Sequence, residues 1–140
     1  MKYVIDAAVF VKWFVVEIQS NIANRIRDDF LEGKFELFAP EFLPYEVVNA
    51  LIYSKLFNNE ELTEVNEALS EYEITFNNWT KNVADLATDI AIRYDKTIYD
   101  AYYLALAVQL DCKFITADSK FYKKFINTQY IENLLLLRNY

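Results

Sequence analysis

One glycine and two prolines in 140 residues leave the chain little with which to build irregular structure. Glycine supplies the left-handed backbone of tight turns, and proline pre-sets turns and breaks helices. A chain poor in both is made of regular elements joined by short turns, with helices prominent. The same scarcity excludes Walker and dinucleotide-binding phosphate loops, which need several glycines. Histidine is absent, which removes the Ser-His-Asp triad, the His-bearing zinc site and any imidazole base. Side-chain chemistry here has to run on carboxylates. At this length, with 54% hydrophobic residues, one domain spanning residues 1–140 is expected.

Short apolar runs alternate with helical patterns along the chain. Tyr3-Val4-Ile5 reads as a strand, Ala8 to Val16 as a helix, and Asn21 to Leu31 as a second helix stopped at Gly33. Phe35 to Ala39 is a strand. Leu43 to Phe57 is a helix with Pro44 in its first turn, where a missing N–H costs little. The segment after Asn58-Asn59 repeats apolar Leu62, Val65, Ala68, Leu69 and Tyr72 as an amphipathic helix. Val83 to Tyr94 and the nearly apolar Ala101 to Leu110 are further helices. Lys113 to Thr116 is a strand, Ser119 to Phe125 a short helix and Gln129 to Ile131 a last strand. Strands alternating with helices imply βαβ crossovers: an α/β fold with a short, mainly parallel central sheet, whose ligands bind beyond the carboxyl ends of the strands.

The formal charge of −7 opposes binding to a phosphate backbone, but the charge is uneven. Between Leu56 and Thr80 lie Glu60, Glu61, Glu64, Glu67, Glu71 and Glu73 and no Lys or Arg, so the rest of the chain is near neutral. Lys113, Lys120, Lys123 and Lys124 form a basic run near the end. Solvated helix faces account for either run as readily as a binding surface does. The single Cys112 cannot form an internal disulfide, and the amino terminus is too short in apolar residues for a signal peptide or spanning helix. A cytoplasmic protein is expected.

Three aspartates fall where such a sheet would carry a site. Asp6 follows Tyr3-Val4-Ile5, Asp118 follows Phe114-Ile115-Thr116, and Asp100 follows Thr97-Ile98-Tyr99 and opens the apolar helix. Each also suits a helix N-cap. Capping cannot explain Glu46. With Asn49 it is the only strongly polar side chain on the helix through F-L-P-Y-E-V-V-N-A-L-I-Y, and a carboxylate on such a helix needs a counter-charge. A cation from the chain could supply it, Lys34 and Lys55 being nearest in sequence. A divalent metal shared by all four acids is the alternative, hard ions such as Mg²⁺ or Mn²⁺ preferring oxygen ligands.

Four blocks, M-K-Y-V-I-D-A-A-V-F-V-K-W-F at the start, A-P-E-F-L-P-Y-E-V-V-N-A-L at Ala39 to Leu51, T-I-Y-D-A-Y-Y-L-A-L-A at Thr97 to Ala107 and F-I-T-A-D at Phe114 to Asp118, resemble in order and spacing the motif blocks of PIN domains, particularly the short VapC-type toxins. The resemblance implies a three-layer α/β/α fold and an endoribonuclease site binding Mg²⁺ or Mn²⁺ through Asp6, Glu46, Asp100 and Asp118. Asn49 and Thr116 would be supporting polar residues. Many relatives carry Ser or Thr two residues after the first aspartate; this chain has Ala8, and Ser119 beside Asp118 is the nearby hydroxyl.

The reaction so implied is metal-assisted hydrolysis of RNA that leaves a 3′-OH and a 5′-phosphate. Trp13 and Tyr102 are candidates for base stacking. The resemblance further implies a small antitoxin partner. A tetra-acid pocket suits an inserted basic side chain, and Leu43, Val47 and Leu51 suggest an apolar groove beside Glu46, unless the protein's own core fills that face. A homodimer is the default self-association. A PIN-fold module that binds but no longer cleaves is the alternative, favoured by Ala8 and the acidic surface.

Overall fold

The apolar pairs that sequence places in strands are buried, and they zip side by side. The computed structural model describes residues 1–140. Its strands are β1 (Lys2–Ile5), β2 (Glu36–Pro40), β3 (Thr75–Asn77), β4 (Lys113–Thr116) and β5 (Leu134–Leu136). They form one sheet in the order β3-β2-β1-β4-β5. Every neighbouring pair is parallel, with Val4 opposite Phe38 on one side and Phe114 on the other. The helices are α1 (Ala7–Val11), α2 (Ser20–Leu31), α3 (Leu43–Ser54), α4 (Asn59–Glu71), α5 (Lys81–Tyr94), α6 (Ile98–Gln109) and α7 (Ser119–Lys124). They complete the three-layer α/β/α architecture.

Because the chain moves from β1 outward through β2 to β3 and then returns to β4 on the other side of β1, the strand order reverses between β1 and β4. Such a switch point opens a crevice at the carboxyl ends of the two strands. Helix α6 lies across β1, β2 and β4, and α5 packs against it. Residues Ala101–Ala107 of α6 are all buried, so its lack of amphipathic pattern follows from being covered on every side.

Local chemistry sets several boundaries. The single glycine ends α2: Gly33 has φ +74, and the amides of Gly33 and Lys34 reach back to Phe30 and Asp29 in a Schellman closure. Asn58 and Glu61 form a reciprocal capping box that starts α4.

Two expectations change. The helix expected over Ala8 to Val16 stops at Val11, and the amides of Trp13 and Phe14 bond three residues back instead of four. That stretch is dense in Val, Phe and Trp, which lose χ1 freedom in a helix. Gln129 to Ile131 is not a strand but part of a 3₁₀ turn (Gln129–Asn133), started by Thr128 capping the Tyr130 amide. The apolar run after it supplies β5. Strand β3 is new; Thr75-Phe76-Asn77 is too short for its pattern to register. The sheet, expected to be mainly parallel, is parallel throughout.

Candidate active site

The carboxyl end of β1 delivers Asp6, which caps α1: its Oδ1 accepts the Val9 amide at 3.1 Å. Asp118 caps α7 in the same way, accepting the Phe121 amide at 2.9 Å. Capping and a site role coexist, since each cap engages one oxygen and fixes the direction of the other. Thr116, the buried last residue of β4, joins the two acids. Its hydroxyl donates to Asp6 Oδ2 at 3.3 Å and accepts the Asp118 amide at 3.1 Å. A hydroxyl therefore reaches Asp6 across the sheet, whereas Ala8 offers none.

Asp100 is neither at a strand end nor a cap, contrary to the sequence reading. Thr97 caps α6, its Oγ1 accepting the Asp100 amide at 3.2 Å, and Asp100 stands exposed in the first helical turn. Glu46 lies in the first turn of α3, half-buried, and accepts a 2.7 Å hydrogen bond from the Tyr103 hydroxyl. Tyr103 is 2% exposed, its ring stacked on Phe114 and met edge-on by Phe42.

Asp6, Glu46 and Asp100 lie close enough to act on one another's charge. Burial, reinforced by the charges of Asp100 and Glu46 and opposed by the Val9 and Thr116 hydrogen bonds, pushes the Asp6 carboxyl up to about 7. Burial also raises the Glu46 carboxyl, with the Tyr103 hydrogen bond opposing and Asp100 reinforcing. None of the chain's ion pairs involves these acids. The two nearest cations in sequence do not serve Glu46: Lys34 pairs with Asp29 and Glu32, and Lys55 lies over the Tyr53 ring.

The carboxylates do not close into a cage of three or more groups in metal-ligating geometry. Their chemistry nevertheless fits a hard divalent cation: the donors are all oxygen, protein cations leave them uncompensated, and Asp6 holds its proton unusually tightly. Asn49 is exposed and makes no hydrogen bond to the acids. It shares with Glu46, Pro44, Tyr45, Val48 and Ile52 the wall of an open groove of about 650 Å³. Ser119 is an exposed residue of the first turn of α7.

Two expectations about surfaces fail. Leu43, Val47 and Leu51 are fully buried in the core and line no groove; the outer face of α3 does so instead. Trp13 and Tyr102 cannot stack a base. The Trp13 indole is buried and donates to the Ala23 carbonyl at 2.8 Å, and the buried Tyr102 hydroxyl accepts the Thr80 amide at 3.3 Å. Tyr103 is a residue of the site that the sequence pattern does not single out. The available signal was a phenol three positions after Asp100, on the same helical face and needing a partner once buried.

The PIN domain family matches this chain over residues 3–125, and the chain belongs to that family. Among curated relatives, Ribonuclease VapC3 of Pyrobaculum aerophilum is 29% identical over 130 residues, covering 89% of this chain and 95% of that protein. Among solved structures, VapBC2 from Rickettsia felis bound to a DNA fragment from its promoter superposes with a TM-score of 0.66 at 14% identity, covering 97% of this chain and 98% of that one. A toxin–antitoxin complex from Klebsiella pneumoniae matches with a TM-score of 0.64 at 15% identity, covering 96% and 97%.

Proposed function

We infer that this chain is a VapC-type endoribonuclease, the toxin of a toxin–antitoxin pair, and that Asp6, Glu46, Asp100 and Asp118 form its divalent-metal site. The observation that carries the reading is the hydrogen-bonded link from Asp6 through Thr116 to Asp118, with Glu46 held by Tyr103, at the carboxyl edge of the sheet and with none of the four acids in an ion pair. The resemblance to Ribonuclease VapC3 over most of both chains supports it. Bound Mg²⁺ or Mn²⁺ supplies charge neutralisation at the scissile phosphate and a lowered pKa for water.

The chain's own residues do the positioning. Thr116 orients Asp6 through Oδ2, the cap on α7 orients Asp118, and Tyr103 orients Glu46. Asn49 and Ser119 are supporting polar residues at the rim. Lys120, Lys123 and Lys124 of α7 are exposed, pair with no acid and follow Asp118 directly, which suits the phosphates of RNA.

A small antitoxin would place a basic side chain among the acids, and the groove on the outer face of α3 offers it apolar contact through Tyr45, Val48 and Ile52. The working form is a homodimer in the cytoplasm; no helix is long and apolar enough to cross a membrane. The test is incubation of single-stranded RNA with the wild type and Asp6→Asn, in Mn²⁺ and in EDTA. Cleavage only by wild type in Mn²⁺ supports the reading. Equal cleavage by both proteins, or none by either, refutes it.

A further inference from the structure

A second cavity shares the carboxyl edge of the sheet with the acids. It has a volume of about 460 Å³ and lies where β2 and β3 end, in register at Pro40 and Asn77. The first turn of α6 serves both places: Ile98 and Tyr99 line the cavity, and the next residue, Asp100, belongs to the acids. Phe42 contributes to its wall and also packs edge-on against Tyr99 and Tyr103, the latter holding Glu46.

The lining has a definite chemistry. Two aromatics present themselves to solvent there, Trp79 at 64% exposed and Tyr99 at 56%. Both are held in place: the Trp79 amide donates to Glu41 Oε1 at 3.1 Å, the Glu41 amide donates to the Asn77 carbonyl at 3.1 Å, and Tyr99 rests on Phe42. No Lys or Arg lines the cavity, so a phosphate group is not its ligand. Its polar groups include two carboxylates, Asp85, which Lys81 pairs, and Glu41, which no cation pairs, together with the Asn77 amide. Glu41 has an oxygen to spare, and Asn77 Oδ1 is the chain's one buried side-chain polar atom without a partner. A shielded, unpaired acceptor is costly. Its amide turns about a soft terminal torsion, so a donor entering the cavity can meet it.

We propose that this cavity binds an unstacked RNA base bearing an exocyclic amino group, stacked on Trp79 or Tyr99 and donating to Asn77 and Glu41. The proposal rests on the ribonuclease reading and adds to it a source of sequence preference. Aromatic stacking holds any base; the acceptors distinguish adenine and cytosine, which present an amino group, from uracil, which presents carbonyl oxygens.

Trp79 reports on its own occupancy, since the other tryptophan, Trp13, is buried. Hexaribonucleotides of adenine, cytosine and uracil are titrated into the full chain carrying Asp100→Asn, which prevents turnover, and tryptophan emission is followed. The adenine and cytosine oligomers should quench it saturably and bind about five- to tenfold more tightly than the uracil oligomer. Trp79→Phe should abolish the response. Asn77→Leu should remove the preference for amino-bearing bases, while Asn77→Asp, which keeps an acceptor, should retain it. Equal affinity for all three oligomers, or a preference surviving Asn77→Leu, overturns the proposal. So does emission that changes with protein concentration alone, which would mean that a second copy covers the cavity.

The ribonuclease reading is judged separately. RNA cleavage by wild type without any Trp79 response discards the cavity and keeps the enzyme. Saturable quenching with no cleavage by wild type does the reverse.

Discussion

The Tyr103 hydroxyl holds Glu46 Oε1 at 2.7 Å across a sequence separation of 57 residues, tying α6 to the first turn of α3. The phenol ring has no freedom to follow a moving carboxylate, being stacked on Phe114 and wedged by Phe42. A side chain so fixed determines where the remaining oxygen of Glu46 points. Tyr103→Phe keeps the ring packing and removes only that constraint. It should lower kcat for RNA cleavage by roughly ten- to a hundredfold, as loss of a ligand-orienting partner does, with KM little changed and the melting temperature shifted by only a few degrees. A variant with unaltered kcat would show that Glu46 needs no such orientation.

The raised Asp6 carboxyl makes stability depend on pH. Its folded pKa, about 7, lies above the ordinary aspartate value of 3.8, so the folded state holds this proton more tightly than the unfolded one. The stabilisation is complete below about 4 and is lost as pH rises through 7. Without metal, the contribution of Asp6 should therefore lower the melting temperature between pH 5 and pH 8. Asp6→Asn should flatten that slope and melt higher than wild type at pH 8 in EDTA. Thermal melts of both proteins across this range decide the matter, and a parallel slope in the variant would place the effect elsewhere.

Divalent metal should act in the opposite sense. A cation that binds the deprotonated acids stabilises the folded state only, and it does so more at pH 8 than at pH 5. Mn²⁺ should raise the melting temperature of wild type at pH 8 and leave Asp6→Asn nearly unmoved. Calorimetric titration with Mn²⁺ gives the same answer directly; heat of equal size in both proteins would mean that the ion binds away from Asp6.

Thr116 carries two hydrogen bonds on one hydroxyl, to Asp6 and from the Asp118 amide. Thr116→Val preserves the shape and strands that amide. It should cost about 1–3 kcal/mol by denaturant unfolding, and Thr116→Ser should restore most of it. Loss of activity in Thr116→Val without loss of stability would reduce Thr116 to a polar contact with RNA or metal.

What could be read from sequence follows the physics of each residue. Asp6 and Asp118 announce themselves because they follow the buried apolar pairs Val4-Ile5 and Phe114-Ile115, which lie side by side in the sheet. Glu46 stands out as a carboxylate on an apolar helix. Asp100 is legible as a residue but not as a position: Thr97-Ile98-Tyr99 reads like the end of a strand, and only the hydrogen bond from the Asp100 amide to Thr97 shows that the helix has already begun. Tyr103 was hidden by its neighbours, since in a helix buried on all sides a phenol looks like another core aromatic until its partner is seen. The groove expected from Leu43, Val47 and Leu51 failed for a related reason. Periodicity identifies an apolar stripe, but not whether the protein's own core or a partner covers it.

If metal-activated water at these acids does the hydrolysis, the ends of the RNA products report that chemistry directly. Water attacking phosphorus expels the ribose 3′ oxygen, so RNA cut by the wild type in Mn²⁺ should carry a 3′-OH and a 5′-phosphate. Asp6→Asn should yield no such ends. A 2′,3′-cyclic phosphate as the main product would make the ribose 2′-OH the nucleophile and contradict the account.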